Sequence, residues 1–416
     1  MTVYDYIPKT ACDGGGPNVL ATRVIVTQAS DLSGVLLSTV EYYIDGVIDM
    51  GTQTIEVPAT GLNLRGGSFD IAQLVSSADN YTMFVSPVGG SGNVFGQDYS
   101  VTTSGINSKV YALTDATGFN AFAFQSINYN NCTSLGDLYN YRQGLEGGTG
   151  RFGGSPSLTL HGTWVGGYRI TTSIVRSMSD TTIEPLFKAG TAFVMNSRFL
   201  TDINCELGTL QPFCDFTPAN FPNPSTLQVK GAIISRGGVF NAADTNVFPN
   251  VTHADLAVDF DSNIGIDNTF IGGRLRVLSE NLTNISAGST WYTLNAIWEA
   301  KNLQHFDTPA AGQLRHLGNN PREFKTTVNF IIESTANNEI GIRLRKWDDS
   351  ASAFVEFGEI SRQVNNFVGG RDVAFFNISF NVVLDQNDYV YFQVRNNSGN
   401  ANVTLEDSSD FLVEER

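Results

Sequence analysis

Three observations predict an all-β chain built as a parallel β-solenoid followed by a C-terminal antiparallel jelly roll. Apolar and polar residues alternate in runs too short to cross a wide sheet, Gly and Asn close each run, and beyond residue 289 the runs lengthen. Charged residues make up only 16% of the 416, while Gly reaches 41, a composition suited to many turns and neutral polar faces.

From Tyr42 onward, segments such as YYIDGVIDMG and TIEVPATGLNLRGGSFDI place Ile44, Val47, Ile55, Val57, Leu62, Leu64 and Phe69 on buried faces. Strands this brief bury their apolar side only if each coil stacks on the next, with Gly and Asn at the corners supplying positive φ. No repeat of fixed length is present, so loops of different lengths leave the coils. The pattern runs to about Leu282. One segment departs from it: Leu135, Leu138, Tyr141 and Leu145 fall at helical spacing behind Ser134 as N-cap, predicting a short helix.

At Asn284–Ser289 the texture changes. TWYTLNAIWEA, EFKTTVNFIIES, EIGIRLRKWDD and four further segments supply seven or eight long strands, enough for a jelly roll. In EIGIRLRKW, Ile340, Ile342, Leu344 and Lys346 share one face, and Arg343, Arg345 and Trp347 the other. RDVAFFNISFNVVL is apolar on both faces, which predicts a strand covered twice, as at the axis of an oligomer. The expected organisation is an N-terminal segment over 1–40, a solenoid over 41–287 and a jelly roll over 288–416.

The net charge of −16 excludes a phosphate-binding footprint, so no nucleic-acid partner is expected. No run of 18 apolar residues occurs and the N-terminus lacks an apolar core, so neither membrane insertion nor a secretory leader is expected. Cys12, Cys132, Cys205 and Cys214 are too scattered for a disulfide framework, and Cys205 with Cys214 is the one pair near enough in sequence to consider.

The layout from Tyr42 to Leu282 with its GG-rich turns, and the module from Thr290 to Arg416, resemble bacteriophage tail spikes and tail fibres. That resemblance implies a homotrimer, a right-handed parallel β-helix, and a terminal jelly roll similar to tumour necrosis factor that trimerises or binds receptor. It also implies a virion location, residues 1–40 docked to tail or capsid proteins, and host-surface polysaccharide or receptor as the external partner. Two alternatives share this layout: a polysaccharide-degrading spike, and a passive capsid decoration protein.

For cleavage, Asp259 and Asp261 stand at i and i+2, which on a strand puts both carboxylates on one face about 7 Å apart, within the spacing of a glycosidase pair. Solvated turn positions are the simpler account of them. His161 near Trp164, Tyr168 and Arg169 is the one lyase-like cluster. For glycan stacking the candidates are Trp164, Tyr168, Trp291, Tyr292 and Trp347, with Asp348 and Asn397 on loops taking hydroxyl groups. Phosphate and nucleophile motifs are missing, no cofactor is expected, and no metal site is assigned; His305 and His316 are expected to pack across a hairpin.

Overall fold

The computed structural model describes residues 3–6, 21–148, 151–154, 156–175, 183–252, 254–368 and 371–416. They form two compact units, Met1–His253 with Ala257–Thr269, and Ala254–Leu256 with Phe270–Arg416.

The first unit is a parallel solenoid of three-sided coils. One ladder runs through Ala21–Val26, Val40–Ile44, Leu62–Gly66, Val94–Gln97, Ala121–Gln125, Gln143–Gly147, Gly167–Val175, Arg198–Leu207, Thr226–Lys230 and Val258–Asp261. A second runs from Val47–Asp49 through Gln73–Ser76, Ser100–Thr103 and Asn128–Cys132 to Ile233–Arg236. The third joins Ile55–Glu56, Thr82–Val85, Lys109–Thr114, Gly136–Tyr139, Leu158–His161 and Phe187–Ala189. Corners carry the expected turn residues: Asn80 and Asn107 hold φ of 51° and 56°, and the Asn107 amide donates to Asn80 Oδ1 at 3.1 Å one coil away.

Inward positions stack on their equivalents in the next coil, so large rings require small residues beneath them. A Cβ on Gly144 would lie 2.2 Å from the Tyr168 ring, and one on Gly96 would lie 2.4 Å from Phe124. Their registers, Gly144 with Tyr168 and Gly96 with Phe124, explain both glycines. The resulting aromatic column includes Phe84–Tyr111 at 5.4 Å, Tyr168–Phe199 at 5.5 Å and Phe248–Phe260 at 4.8 Å between centroids.

Three local expectations are corrected. The segment read as a helix is two strands, Gly136–Tyr139 and Gln143–Gly147, separated by a corner. Gly136 at φ 90° and Asn140 at φ 58° break any helix, and Leu135, Leu138 and Tyr141 point inward because these two positive-φ residues fall between them and reset the alternation. Val47 is 62% exposed while Ile48 is buried, since the turn at Gly46 shifts the alternation by one residue; Phe69 is only half-buried. The solenoid also starts earlier than expected, with Ala21–Val26 already in its ladder and Val3–Tyr6 antiparallel against it.

The second unit is a sandwich of two antiparallel sheets around one apolar core. One sheet places Gly272–Ser279 beside the final strand Asp410–Glu415, then Arg322–Glu333 and Arg371–Leu384, with Ile297–Gln304 at its edge. The other orders Leu314–His316, Tyr389–Asn396, Glu339–Asp348 and Ala353–Gln363. This unit begins before the expected boundary. The strand GGRLRVLS alternates in the same way whether it stacks in a coil or pairs across a sandwich, and only its antiparallel partners Asp410–Glu415 and Ile297–Gln304 assign it. Within the single chain Arg371–Leu384 buries one face, with Phe376, Val382 and Leu384 in the core, while Phe375 and Val383 on the other are 45% and 54% exposed.

The three described cysteines are buried free thiols, so Cys205 and Cys214 do not pair; Cys12 lies outside the described residues. Burial pushes the Cys132 thiol up to about 11.

One inward carboxyl interrupts the apolar core. Glu146 is 4% exposed and accepts a hydrogen bond from the Tyr168 hydroxyl at 2.8 Å, and burial pushes it up to about 7. Its folded-state value lies above the ordinary 4.5, so its favourable contribution is complete below about pH 4.5 and is lost as pH rises through 7. Glu146→Gln should therefore match the parent at pH 4.5 and exceed its unfolding free energy by on the order of 3 kcal/mol at pH 8. Urea denaturation at the two pH values measures this; a gain of equal size at both would show that the carboxyl is not protonated in the fold.

Candidate functional site

The outward face of the second sandwich sheet gathers aromatic and guanidinium groups in cross-strand rows. Alternation along Glu339–Asp348 turns Arg343, Arg345 and Trp347 away from the core that holds Ile340, Ile342 and Leu344, as the sequence indicated. Antiparallel register then sets Trp347 between Tyr389 and Phe354, Arg345 between Tyr391 and Glu356, and Arg343 between Gln393 and Glu359.

In the first row Trp347 stacks with Tyr389 at 6.1 Å and 19°, and meets Phe354 edge-on at 4.8 Å. The Arg345 guanidinium lies 4.3 Å over the Phe354 ring. Farther along the face, Arg343 and Arg395 both lie over the Trp291 ring, at 4.5 and 4.6 Å. Arg343 also donates to Gln393 Oε1 at 2.9 and 2.7 Å and to Glu356 Oε1 at 2.5 Å. These contacts hold the long side chains in single orientations, with the Phe354 ring exposed and Trp347, Tyr389, Trp291, Arg343 and Arg345 half-buried at the surface. Such a surface matches a sugar ring, with its apolar face and its hydroxyl or carboxylate oxygens.

The anchor beneath the rows is a buried ion pair. Lys346, on the core side of the same strand, reaches Asp388 Oδ2 at 2.5 Å and donates to the Val383 carbonyl at 3.0 Å. Asp388 also accepts the Asp349 amide at 2.9 Å and the Asp385 amide at 2.8 Å, tying down the turn after Trp347.

Asp348 caps that turn, accepting from Ser350 Oγ at 2.7 Å and the Ala351 amide at 2.9 Å, and these donors hold its carboxyl low. Asn397, at the other end of the face, donates to Glu339 Oε1 and Ser361 Oγ, each at 3.1 Å. Trp347, Asp348 and Asn397 thus share one sheet. Arg343, Arg345, Phe354, Tyr389 and Arg395 complete the surface; the alternation of Arg343, Arg345 and Trp347 was the only signal for them in the sequence.

The solenoid candidates do not join them. Trp164 and Tyr168 are 0% and 1% exposed, so neither offers a face to a ligand; the Trp164 indole donates to the His161 carbonyl at 3.1 Å and Tyr168 belongs to the aromatic column. Asp259 is 3% exposed and ion-paired to Lys230 at 2.9 Å, while Asp261 accepts from Ser262 Oγ at 2.8 Å beside a positive-φ turn. One buried, charge-compensated carboxylate and one turn-bound carboxylate do not make a glycosidase pair.

His161 accepts the Thr191 amide at Nδ1 (2.9 Å) and donates from Nε2 to Asp137 (3.0 Å), so both nitrogens are committed. His316 is fully buried against Phe306 and Phe324, donates from Nδ1 to the Asp385 carbonyl, and is pushed down to about 4 by burial. Among the described residues no group of three or more His, Cys, Asp or Glu side chains could hold a metal ion.

One carboxylate pair absent from the sequence reading is Glu280 with Glu406, both held by Arg371 at 2.9 and 2.6 Å. Burial and the Glu280 charge push Glu406 up to about 7, while Arg371 holds Glu280 low. The two carboxylates share one guanidinium, which ties them into an ion-pair cluster rather than opposing them across a substrate gap.

No protein-family model and no curated protein matches the chain. Among solved structures, the chain is similar to the TNF protein Eiger from S. frugiperda, with 10% identity over 35% of this chain and 92% of that chain, TM-score 0.28. Murine APRIL at pH 5.0 shows 9% identity over 35% of this chain and 99% of that chain, TM-score 0.27. The enzymatically active domain of bacteriophage CBA120 tailspike protein 4 shows 9% identity over 90% of this chain and 63% of that chain, TM-score 0.19. These likenesses are weak, and none supports a role for a particular residue.

The ion pair gives a direct test of how the site is held. Asp388→Ala leaves Lys346 buried without its counter-charge and should lower the unfolding free energy by about 3 kcal/mol. Glu356→Ala, which removes a carboxylate that is 58% exposed, should change it by less than about 1 kcal/mol. Urea midpoints of the two variants check the contrast, and equal losses would assign the anchor to the exposed pair.

Proposed function

We propose that the chain is a homotrimeric virion appendage of the phage tail-fibre or tail-spike kind, whose sandwich unit recognises host-surface glycan. The observation that carries the reading is the row of Trp347, Tyr389 and Phe354 continued by Arg345, Arg343, Trp291 and Arg395 on the solvent face of one rigid sheet. Strands hold such a surface in place, so little ordering entropy opposes ligand binding.

A parallel solenoid and a jelly-roll sandwich in one chain support the appendage part of the reading. In this proposal the solenoid is right-handed, residues 1–40 dock to tail or capsid proteins, and the chain resides on the virion. Of that segment, residues 3–6 and 21–40 are among the described residues. Exposed Phe375 and Val383, with Phe367 at 73% and Val368 at 51%, are the apolar surface that a trimer would cover. The polysaccharide-cleaving alternative has no support at Asp259 or Asp261.

The test uses the purified full chain. Light scattering should give three copies per particle, and immobilised host capsule or lipopolysaccharide should retain the protein. Arg343→Ala and Trp347→Ala should each weaken retention about tenfold, equivalent to about 1.4 kcal/mol. Undiminished retention in both variants would move recognition elsewhere. Absence of retention, with adsorption of particles unaffected by antibodies to the chain, would favour passive decoration, and released oligosaccharides would establish a depolymerase.

A further inference from the structure

We infer that the sandwich carries a second ligand site, a cavity at the open edge between its sheets that takes a short acyl group such as the acetyl of an N- or O-acetylated sugar. The inference rests on the reading of this unit as a glycan-recognition module, but concerns different residues from the outer-sheet rows.

The edge strand Ile297–Gln304 pairs only with Gly272–Ser279, setting Ala300 beside Leu275 and Trp298 beside Val277. Leu275 and Val277 are core residues, and register sets Ala300 and Trp298 on the same face beside them, Trp298 half-buried and Ala300 exposed at the edge, with buried Ala296 just before the strand. Because two of the three are alanines, the sheets are not filled at this edge. A cavity of about 410 Å³ results, floored by Leu275, walled by Ala296, Trp298 and Ala300, and roofed by Ala311 and Gly312 of the following loop. This volume lies in the range of small-molecule sites, about 300 to 1,000 Å³.

The chemistry of the walls restricts the occupant. The lining side chains are apolar, with exposed Ile297 among them, save the exposed Thr308 hydroxyl at its mouth and one indole N–H, and backbone groups add polar surface. That N–H, Trp298 Nε1, is shielded from water and has no acceptor in the protein. Leaving a buried donor unmade costs about 1 to 3 kcal/mol, so an oxygen that reached it would bind with that much in hand.

The ring cannot turn away, because it packs edge-on against Phe411 at 5.6 Å and lies 6.3 Å from Phe330. Gly312 keeps the N–H side narrow but free of side chain; a Cβ there would stand 2.9 Å from Nε1. An occupant therefore needs a small apolar end for the alanine pocket and an oxygen that only accepts. A free amine, which donates, fails at the indole, and a bare hydroxyl wastes the apolar walls. An acetyl group supplies both a methyl and a carbonyl oxygen, and reaches the N–H once the exposed turn at Ala310 and Ala311 gives way.

The test compares tri-N-acetylchitotriose with its fully deacetylated counterpart as probes, read by saturation-transfer NMR and by tryptophan fluorescence on the full chain. The acetylated probe should bind through its methyl protons and the deacetylated one should not. Trp298→Phe keeps the ring and loses the N–H, and should weaken binding five- to tenfold. Ala300→Leu fills the cavity and should abolish binding, with an unchanged melting temperature showing that the sheet is intact.

Equal binding of the two probes, or binding that survives Ala300→Leu, would overturn the inference, as would preference for octanoate over the acetylated sugar. The Arg343→Ala variant separates the two readings. It should retain the acetylated probe, whereas loss of glycan retention through Arg343 together with an empty cavity would leave the outer-face reading standing and remove this one.

Discussion

Parallel stacking of coils is the constraint on which the solenoid depends. Each coil is too small to enclose a core, so every inward side chain is buried by the equivalent position one coil away, and the choice of residue at one level limits the choice at the next. The pairing of Gly144 with Tyr168 and of Gly96 with Phe124 shows the rule at its tightest, because any side chain on either glycine would occupy the space of the ring stacked on it. The aromatic column running from Phe84 to Phe260 is the sum of such pairings. Glu146 sits inside it with the Tyr168 hydroxyl as a partner, and burial pushes its carboxyl up to about 7.

The sandwich solves burial differently, by bringing distant strands together. Gly272–Ser279 and Asp410–Glu415 are neighbours although they begin and end the unit. Its inner faces close on a continuous apolar core, which leaves the outer faces available for other chemistry. On the outer face of the second sheet, acidic partners such as Glu356 hold the arginines in place. In a chain of net charge −16, this is how a guanidinium row is kept oriented without leaving uncompensated positive charge. The buried pair of Lys346 and Asp388 fixes the same strand from behind.

The parts of this structure that were legible are those governed by local spacing. Alternation in EIGIRLRKW assigned both faces of its strand, and Gly and Asn marked the corners. The same spacing failed where the chain turns: Leu135, Leu138 and Tyr141 imitate a helix because a corner, like a helical turn, returns side chains to one side after three or four residues. At Gly46 a corner shifted the phase and moved Val47 outside. Trp164 and Tyr168 illustrate a further limit, since an aromatic in a short strand reads the same whether it faces a ligand or the next coil.

The sequence by itself determined the β class, the stacking of short strands, the change to long ones and the inward face of most of them. These follow from composition and from a two-residue period, which need no knowledge of partners. Tertiary structure alone decided which strand begins the sandwich, which aromatics are exposed, that Asp259 is neutralised by Lys230, and that Trp347, Arg343 and Trp291 share a surface. Each of these depends on register between segments far apart in the chain, and register is set by packing across the sheet rather than by any spacing along the strand.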